Sequence, residues 1–344
     1  MDTHDATILA LARTTRQLAG DAARATGLSR VAVSRRIKRL ADTGYLQRHG
    51  SGTRQTYSPG TNGFWTLSIA CTEKSPDEFA LWEAHLHPMT GGLQPNVMNM
   101  AQIVFTELVN NVRDHAKART LAMGAHIHSG RLQIAVMDDG VGIFRNIAQA
   151  QDLFDDRLAV LELAKGKYTT AASGHSGMGI FVSSRLADGF CVYSRGITYA
   201  PRTPRGVDLS FGWIDWRPYT QGTIVLVDIA LDSTRTAQSI YERYLTPDEV
   251  GGEAFHTTEV PVKLAELSSQ LVSRSQGKWV VARATQFQTV ILDFAGVEFA
   301  GQAFLDEVFR VFATAHPQVR LVPVNLAPQV ERNLRTFAPG ALAA

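Results

Sequence analysis

A carboxylate, a carboxamide and an imidazole recur at four-residue intervals in the chain, as Glu107, Asn111 and His115. The apolar residues between them follow a helical period, so the three polar groups are predicted to form one stripe along a half-buried helix. Such a stripe suits activation of a water molecule, coordination of a hydrated magnesium ion and contact with a phosphate. An ordinary polar helix surface has the same spacing, so the helix alone leaves both interpretations open.

Two glycine-containing segments follow this helix. The alternating apolar pattern of 132–136 predicts a strand that ends at Asp138 and continues into a turn with Gly140 and Gly142. Farther on, 174–179 leads into a predicted helix, whose first N–H groups and positive dipole end would face an anion. Glycine often serves turns for conformational reasons alone, so neither segment is specific by itself.

Together and in this order, these elements resemble the Bergerat-fold (GHKL) ATPases, a family that includes gyrase, MutL, histidine kinases and the anti-sigma-factor serine kinases. Glu107 to His115 is similar to the N box in its anti-sigma form, Asp138 to Gly142 to the first glycine box, and Gly174 to Gly179 to the second. Gly222-Thr223 is similar to the closing Gly-Thr element. The resemblance covers residues 77 to 231 and implies an α/β sandwich that binds ATP and Mg²⁺.

The resemblance also implies a role for each matching residue. Glu107 would be the general base, Asn111 would ligate Mg²⁺, and Asp138 would accept a hydrogen bond from the adenine amino group. Histidine kinases usually carry asparagine at the position of Glu107, a difference that favours ATP hydrolysis or serine phosphorylation over a phosphohistidine relay. The complete predicted nucleotide site comprises Glu107, Asn111, His115, Asp138, Gly140, Gly142, Gly174, His175, Ser176, Gly177, Met178, Gly179 and Thr223.

The first 58 residues carry ten Lys or Arg and four acidic side chains, whereas the rest of the chain is mildly acidic. Three helices are predicted here, the third after a Ser29 cap, and two short strands around a polar tip follow. The predicted ranges are 6–16, 21–26 and 30–42 for the helices and 49–53 for the tip. This order resembles the winged helix-turn-helix regulators, which implies that the third helix enters the major groove of DNA.

The third helix is predicted to have a buried side made of Val31, Val33, Ile37 and Leu40. Its basic and hydroxyl groups would lie outside and contact mainly DNA phosphates, because most protein–DNA hydrogen bonds go to the backbone. A module that binds protein instead of DNA is the alternative. The predicted DNA-binding residues, the last of them in the wing, are Arg30, Ser34, Arg35, Lys38, Arg39 and Arg54.

Alternating strands and helices predict a small α/β domain near the C-terminus. The segments 292–297 and 304–306 resemble STAS-like domains, the class to which anti-anti-sigma proteins belong. Those proteins carry a phosphorylatable serine or threonine at a helix start, where this chain has only Ala, Gly, Gln and Ala at 300–303. The domain is therefore predicted to bind a protein partner rather than to accept a phosphate.

The apolar segments, cysteines and histidines of the chain limit which classes of protein it can belong to. The chain has no apolar run of membrane-spanning length and no signal-like N-terminal segment, which favours a cytoplasmic protein without membrane contact. Cys71 and Cys191 are the only cysteines, so no disulfide framework is expected. His126 and His128 alternate on a predicted strand without an evident third ligand, and no metal site is predicted there.

The sequence thus predicts a multidomain α/β protein with four parts: a winged helix at 1–60, a GHKL ATPase domain at 61–232, a connector at 233–254 and a STAS-like domain at 255–344. The predicted function is a nucleotide-responsive DNA-binding regulator that hydrolyses ATP through Glu107. We expect a homodimer whose assembly follows ATP through a lid at 144–173. The alternatives are a serine/threonine protein kinase of the anti-sigma class and a scaffold with an inactive nucleotide fold.

Overall fold

The computed structural model describes residues 2–165, 179–202, 217–244, 259–282 and 284–342. The chain divides into two compact units, made of Met1–Gly142 with Leu186–Thr236 and of Ile143–Arg185 with Ala237–Ala344. It is a multidomain mixed α/β protein, as predicted at this coarse level, and it contains a large antiparallel sheet. Within the described ranges, every helix is too short or too polar to cross a lipid bilayer.

The first unit begins with three helices and a two-stranded antiparallel hairpin. Their bounds are Thr3–Leu11 (α1), Leu18–Thr26 (α2), Arg30–Asp42 (α3), Leu46–His49 (β1) and Thr56–Pro59 (β2). α3 has the predicted bounds, because the Ser29 hydroxyl accepts a hydrogen bond from the Ala32 N–H and so caps it. α1 begins earlier than predicted, because Asp2 and Asp5 form a reciprocal capping box there.

The prediction that Val31 is buried is wrong, since its side chain is 63% exposed. The helical turn directs Val33, Ile37 and Leu40 into a core that also contains Ile8 of α1. Phe64 belongs to the same core although it lies on the next strand, Gly63–Ala70 (β3). The N-terminal helices therefore share their core with the first strand of the large sheet.

The large sheet has six strands in the order β3-β4-β5-β8-β6-β7, and all neighbours are antiparallel. The other strands are Thr120–His128 (β4), Arg131–Asp138 (β5), Gly189–Ser194 (β6), Ile197–Arg202 (β7) and Ile224–Ala230 (β8). Two short helices, Glu78–Leu81 (α4) and His87–Thr90 (α5), precede the long helix Pro95–Asn111 (α6). α6 packs against β5 and β8, whose residues are buried along most of each strand.

The second unit joins a segment from the middle of the chain to the C-terminal region. Its first helices are Ile143–Ala150 (α7), Ala159–Lys165 (α8), Gly179–Leu186 (α9) and Ala237–Tyr244 (α10). The C-terminal region has a parallel sheet in the order β13-β11-β9 and a short parallel pair, β10 with β12. Its elements are Glu259–Lys263 (β9), Gln270–Leu271 (β10), Arg274–Val281 (α11), Thr289–Asp293 (β11), Phe299–Ala300 (β12), Gln302–Asp306 (α12), Ala313–Ala315 (α13), Arg320–Val324 (β13) and Pro328–Phe337 (α14).

Candidate functional site

The helix with the carboxylate, carboxamide and imidazole is α6 together with a π-helical turn, Val112–Ala116, that continues it. Pro95 occupies its first turn, where a missing N–H costs nothing. The Asn96 side-chain amide donates hydrogen bonds to the carbonyls of Ser233 (2.6 Å) and Arg235 (2.8 Å), which fixes the start of the helix. The buried side of α6 is apolar, whereas Glu107 and Asn111 on the same helix are partly exposed.

Glu107 and Asn111 lie four residues apart in regular α-helix, and both are partly buried. His115 lies inside the π-helical turn, where more residues are needed for each rotation, so α-helical spacing does not extend from Asn111 to His115. A residue four positions on in such a turn still lies near the same side of the helix, so the single stripe of all three residues stays a prediction. π-helical turns are rare and frequently occur at functional sites.

The first glycine turn lies directly against the end of this helix. The Val141 N–H donates a 2.9 Å hydrogen bond to the Ala116 carbonyl, the last residue of the π-helical turn. A Cβ atom on Gly140 would overlap that same carbonyl oxygen, so a larger residue would push the turn away. Gly142 has a φ of +86°, and a Cβ there would lie 2.5 Å from the Ser194 hydroxyl oxygen. The two glycines are thus needed for close approach and for backbone conformation.

Asp138 ends β5 and is almost fully buried, at 2% exposure. Its carboxylate accepts a 2.8 Å hydrogen bond from the Gly140 N–H and further hydrogen bonds from Thr223. Burial raises the pKa of Asp138 to about 6, and these hydrogen bonds only partly offset the rise. A buried carboxylate with a raised pKa at the end of a strand is a common feature of binding and catalytic sites.

The Gly-Thr element lies opposite Asp138, where β5 and β8 pair. The Asp138 N–H donates to the Thr223 carbonyl at 2.9 Å, and a Cβ on Gly222 would overlap the Asp138 backbone. The buried Ser194 hydroxyl, on β6, donates to the Gly222 carbonyl at 2.5 Å. The first unit therefore brings together the first glycine turn, the Gly-Thr element and the end of the α6 helix.

The neighbouring carboxylate, Asp139, has a different environment. Its Oδ1 atom accepts hydrogen bonds from the backbone N–H groups of Arg119 and Thr120, both at 2.8 Å. Partial burial alone would raise the pKa of Asp139, but those N–H groups and the Arg119 charge hold it below its usual value. Asp139 therefore fixes the start of β4, whereas Asp138 is the carboxylate with the environment of a ligand site.

The environment of Asn111 agrees with a metal-ligating role. Its Nδ2 atom is buried and has no hydrogen-bond partner among the described residues, an uncommon state that calls for an explanation. Because oxygen and nitrogen of an amide are assigned from the hydrogen-bond network, the same position also suits Oδ1, which is a magnesium ligand. The described residues contain no cluster of three or more His, Cys, Asp or Glu arranged for a metal. Mg²⁺ commonly takes few protein ligands and completes its shell with water and phosphates.

The second glycine box is described only at its last residue. Gly174, His175, Ser176, Gly177 and Met178 are outside the described residues, and Gly179 is the first residue of α9. Only the first part of the predicted lid is described, and it contains α7 and α8. The helix predicted at 158–164 is observed one residue later, as α8.

On α3, the predicted DNA contacts fall into two groups. Arg30, Ser34, Arg35 and Lys38 are exposed, and Arg54 is exposed next to the hairpin tip. Arg39 is exposed as well, but its guanidinium pairs with Asp5, which is 1% exposed. Arg36 pairs with Asp5 (2.8 Å) and Asp2 (2.9 Å) in the same way. Arg39 therefore serves the module's own structure, which its place in the sequence did not reveal.

Three contacts around Asp138 and the glycine turn were not predicted: those of Asp139 and Ser194, and the close approach of Gly222 to the Asp138 backbone. Ser194 comes from a strand far along the chain and has no local pattern that could have identified it. Asp139 could have been separated from Asp138 only by knowing which backbone N–H groups it faces. Such contacts arise when distant segments meet, so hydrophobic periodicity does not reveal them.

Residues 277–331 match a family described as a STAS-like domain of unknown function (DUF4325). The match lies within the region predicted as STAS-like and confirms that part of the prediction. No curated protein matches the chain. The winged helix and the Bergerat ATPase stay predictions that rest on the residues described above.

Proposed function

We propose that the chain is an ATP-binding, DNA-binding transcriptional regulator whose DNA affinity responds to bound nucleotide. The observation that carries this proposal is the buried Asp138. It lies between Gly140 and Thr223 and beside the end of the helix that carries Glu107 and Asn111. Four elements of the chain resemble elements of one ATPase family, and they occur in the same order. Three of them, the end of α6, the first glycine turn and the Gly-Thr element, meet in the first unit. A chance resemblance does not require the separate segments to come together.

In the proposed site, Asp138 accepts a hydrogen bond from the adenine amino group, and Thr223 lies beside it. Asn111 would hold Mg²⁺, which when bound neutralises phosphate charge. Glu107 would take a proton from the water whose oxygen bonds to the γ-phosphorus while the bond to the ADP oxygen breaks. His115, Gly142 and the second glycine box would complete the phosphate side, as the resemblance implies.

The proposed link to DNA binding is the core that the N-terminal module shares with β3. β3 is the edge strand of the sheet in which β5 carries Asp138. The Tyr45 hydroxyl and His126 Nε2 on β4 share a hydrogen bond, and their rings stack at 5.7 Å. Nucleotide can change DNA binding only as far as it binds one conformation more tightly than another. Because the N-terminal module shares a core with the sheet, a conformational change of the sheet on nucleotide binding would reach the module.

The direct test is titration of a labelled DNA pool with and without Mg-ATP, together with calorimetry of nucleotide binding. We expect Asp138→Asn to abolish ATP binding, because an amide would present a donor where adenine also donates. Asp139→Asn is the matched control, since it removes the same charge one residue away and keeps an oxygen for Arg119 and Thr120. Normal ATP binding by the Asp138 variant would reject the adenine pocket.

A second prediction concerns turnover. Glu107→Gln should leave ATP bound but slow hydrolysis by about 10²–10⁴-fold, the usual effect of removing a positioned base. Asn111→Ala should weaken the magnesium dependence of binding, whereas Asn110→Ala, on the same helix, should not. Equal turnover by parent and Glu107→Gln would remove this carboxylate from the chemistry.

The proposal includes ATP-controlled homodimerisation, because two modules at a fixed separation read DNA more specifically than one. Light scattering of the full chain, with and without DNA and a non-hydrolysable ATP analogue, tests it. One mass in all conditions, with DNA affinity indifferent to nucleotide, would reject this part and leave the kinase function ahead.

The second candidate is a serine/threonine protein kinase in a partner-switching pathway. The observation in its favour is the STAS-like match in the same chain, together with a glutamate rather than an asparagine at 107. No hydroxyl lies at 300–303, where α12 begins, so the acceptor would belong to another protein bound by this domain. Transfer of labelled phosphate from ATP to a protein partner would favour this function. Absence of any nucleotide binding would favour a scaffold.

A further inference from the structure

The exposed face of α3 carries an apolar residue, Val31, among its basic side chains. Each residue of an α-helix advances the direction of its side chain by about 100°. Val31 therefore points between Lys38 and Arg35, and the whole exposed face spans about 140°. Around that arc the residues follow in the order Arg30, Ser34, Lys38, Val31, Asp42 and Arg35, all of them exposed. Asp42 lies about three turns along the helix from Val31, with Arg48 at 3.9 Å. Val33, Ile37 and Leu40 occupy the opposite, buried side.

The cations around Val31 differ from those elsewhere on the helix. Arg36 and Arg39 pair with Asp2 and Asp5 of the N-terminal segment. Arg30, Arg35 and Lys38 form no ion pair with any described residue. Three cations without carboxylate partners on one face indicate a polyanionic partner, because unpaired surface cations release counterions when they meet phosphates.

An isolated exposed valine is common on protein surfaces and needs no explanation by itself. The informative point is that this one, 63% exposed, lies amid cations that would face DNA. In the major groove the apolar group on a base edge is the C5 methyl of thymine. A β-branched side chain in a helix has one strongly preferred rotamer, so its methyl groups are held in place before binding.

We propose that Val31 determines sequence specificity by contacting the C5 methyl group of a thymine in the DNA site. The inference rests on the proposed DNA-binding function and adds to it the residue that reads a base. Arg30, Arg35 and Lys38 hold phosphates on either side of the groove. The Ser29 cap, whose hydroxyl accepts from the Ala32 N–H at 3.2 Å, fixes the helix start on which Val31 lies.

The experiment begins with selection of binding sites from a random duplex pool by the full chain, with Mg-ATP present. Each thymine of the selected site is then replaced in turn by deoxyuridine, which lacks only the C5 methyl group. At one thymine of each half-site, the parent protein should lose about three- to fivefold in affinity, the factor expected for one buried methyl group. At that position Val31→Ala should bind thymine and deoxyuridine equally, because the methyl group then has no partner.

Val272→Ala is the matched control, since Val272 is an exposed valine (51%) in the C-terminal region and its loss should leave the thymine preference unchanged. Thermal melting of Val31→Ala should match the parent, because the exposed side chain makes few buried contacts that truncation could remove.

If the parent binds DNA but is indifferent to every deoxyuridine, or if Val31→Ala keeps the preference, the inference about Val31 is wrong and DNA binding still stands. If no DNA binds in any nucleotide state, the proposed function fails and the inference fails with it. If the exposed face of α3 binds a protein partner and no DNA, the proposed function and the inference also fail together.

Discussion

The N-terminal module and the C-terminal domain are both attached through hydrophobic cores, but to different parts of the chain. The N-terminal helices share a core with Phe64 of β3, in the unit that contains Asp138 and α6. The C-terminal domain belongs to the other unit, together with α7 and α8, the segment that directly follows Gly142. One flanking domain thus shares its core with the sheet, and the other lies in one unit with the segment that follows Gly142.

The two attachments also differ in chemistry. At the N-terminal side, the Tyr45 ring stacks on His126 and His128, and the Tyr45 hydroxyl bonds to His126. At the C-terminal side, residues 158–164 are all buried, and α8 packs against β9. A helix that is buried all round needs a partner on each side, so α8 is part of the C-terminal domain's core. The first attachment therefore contains titratable groups, and the second relies mainly on apolar burial.

The largest expected effect comes from removing the aromatic ring shared by the N-terminal module and the sheet. Phe64→Ala should cost about 3–5 kcal/mol of unfolding free energy, because it leaves a cavity in a shared core. Hydrogen exchange should rise in α1 and α3 as well as in β3 and β4. Phe304→Ala, an equally buried residue of the C-terminal region, is the control and should raise exchange in β9 to α14 instead. If Phe64→Ala leaves the sheet fully protected, the module and the sheet do not form one cooperative core.

A smaller effect should appear as pH dependence of the N-terminal attachment. Burial, with help from the neighbouring His128, lowers the pKa of His126 to about 4. An unfolded histidine titrates near 6.5, so the unfolded chain binds more protons between those values, and stability should fall as pH drops from about 6.5 to 4. Because His126 is only partly buried, we expect about 1–2 kcal/mol from this group.

His126→Asn isolates that contribution, since Asp138 titrates in the same range with the opposite sign. The folded pKa of Asp138 is raised to about 6, so its contribution to stability is lost as pH rises from about 4 to 6. Denaturant unfolding of parent and variant between pH 4 and 7 gives the difference. Parallel pH profiles would show that His126 does not titrate differently on folding.

The smallest expected effect is at the C-terminal attachment. The Phe154 and Trp279 rings lie 5.2 Å apart, but Phe154 is 77% exposed, so Phe154→Ala should cost about 0.5–1.5 kcal/mol. Its hydrogen-exchange changes should be confined to α7, α8 and α11. Trp279 fluorescence should shift in the same variant. Phe79→Ala, an exposed aromatic of the first unit, should leave both unchanged. Exchange changes in β3 or β4 would contradict the separation of the two attachments.

Much of the local structure was determined by the sequence alone. The bounds of α3 agree with the prediction because its cap and its apolar periodicity act over a few residues. The STAS-like region was identified from its residues and confirmed by the family match. Asp138, Gly140 and Thr223 were grouped only through the family resemblance; they lie together in the first unit, and their role toward nucleotide stays a prediction.

Only the tertiary structure decided which of these residues have other partners. Asp5 holds Arg36 and Arg39 from another helix, the helix of Glu107 and Asn111 continues into a π-helical turn, and Val31 faces away from the core. Ser194 and Ala116 approach the glycine turn from distant parts of the chain. Helical and strand periods specify which side of an element is apolar, but contacts between distant segments depend on how the elements pack.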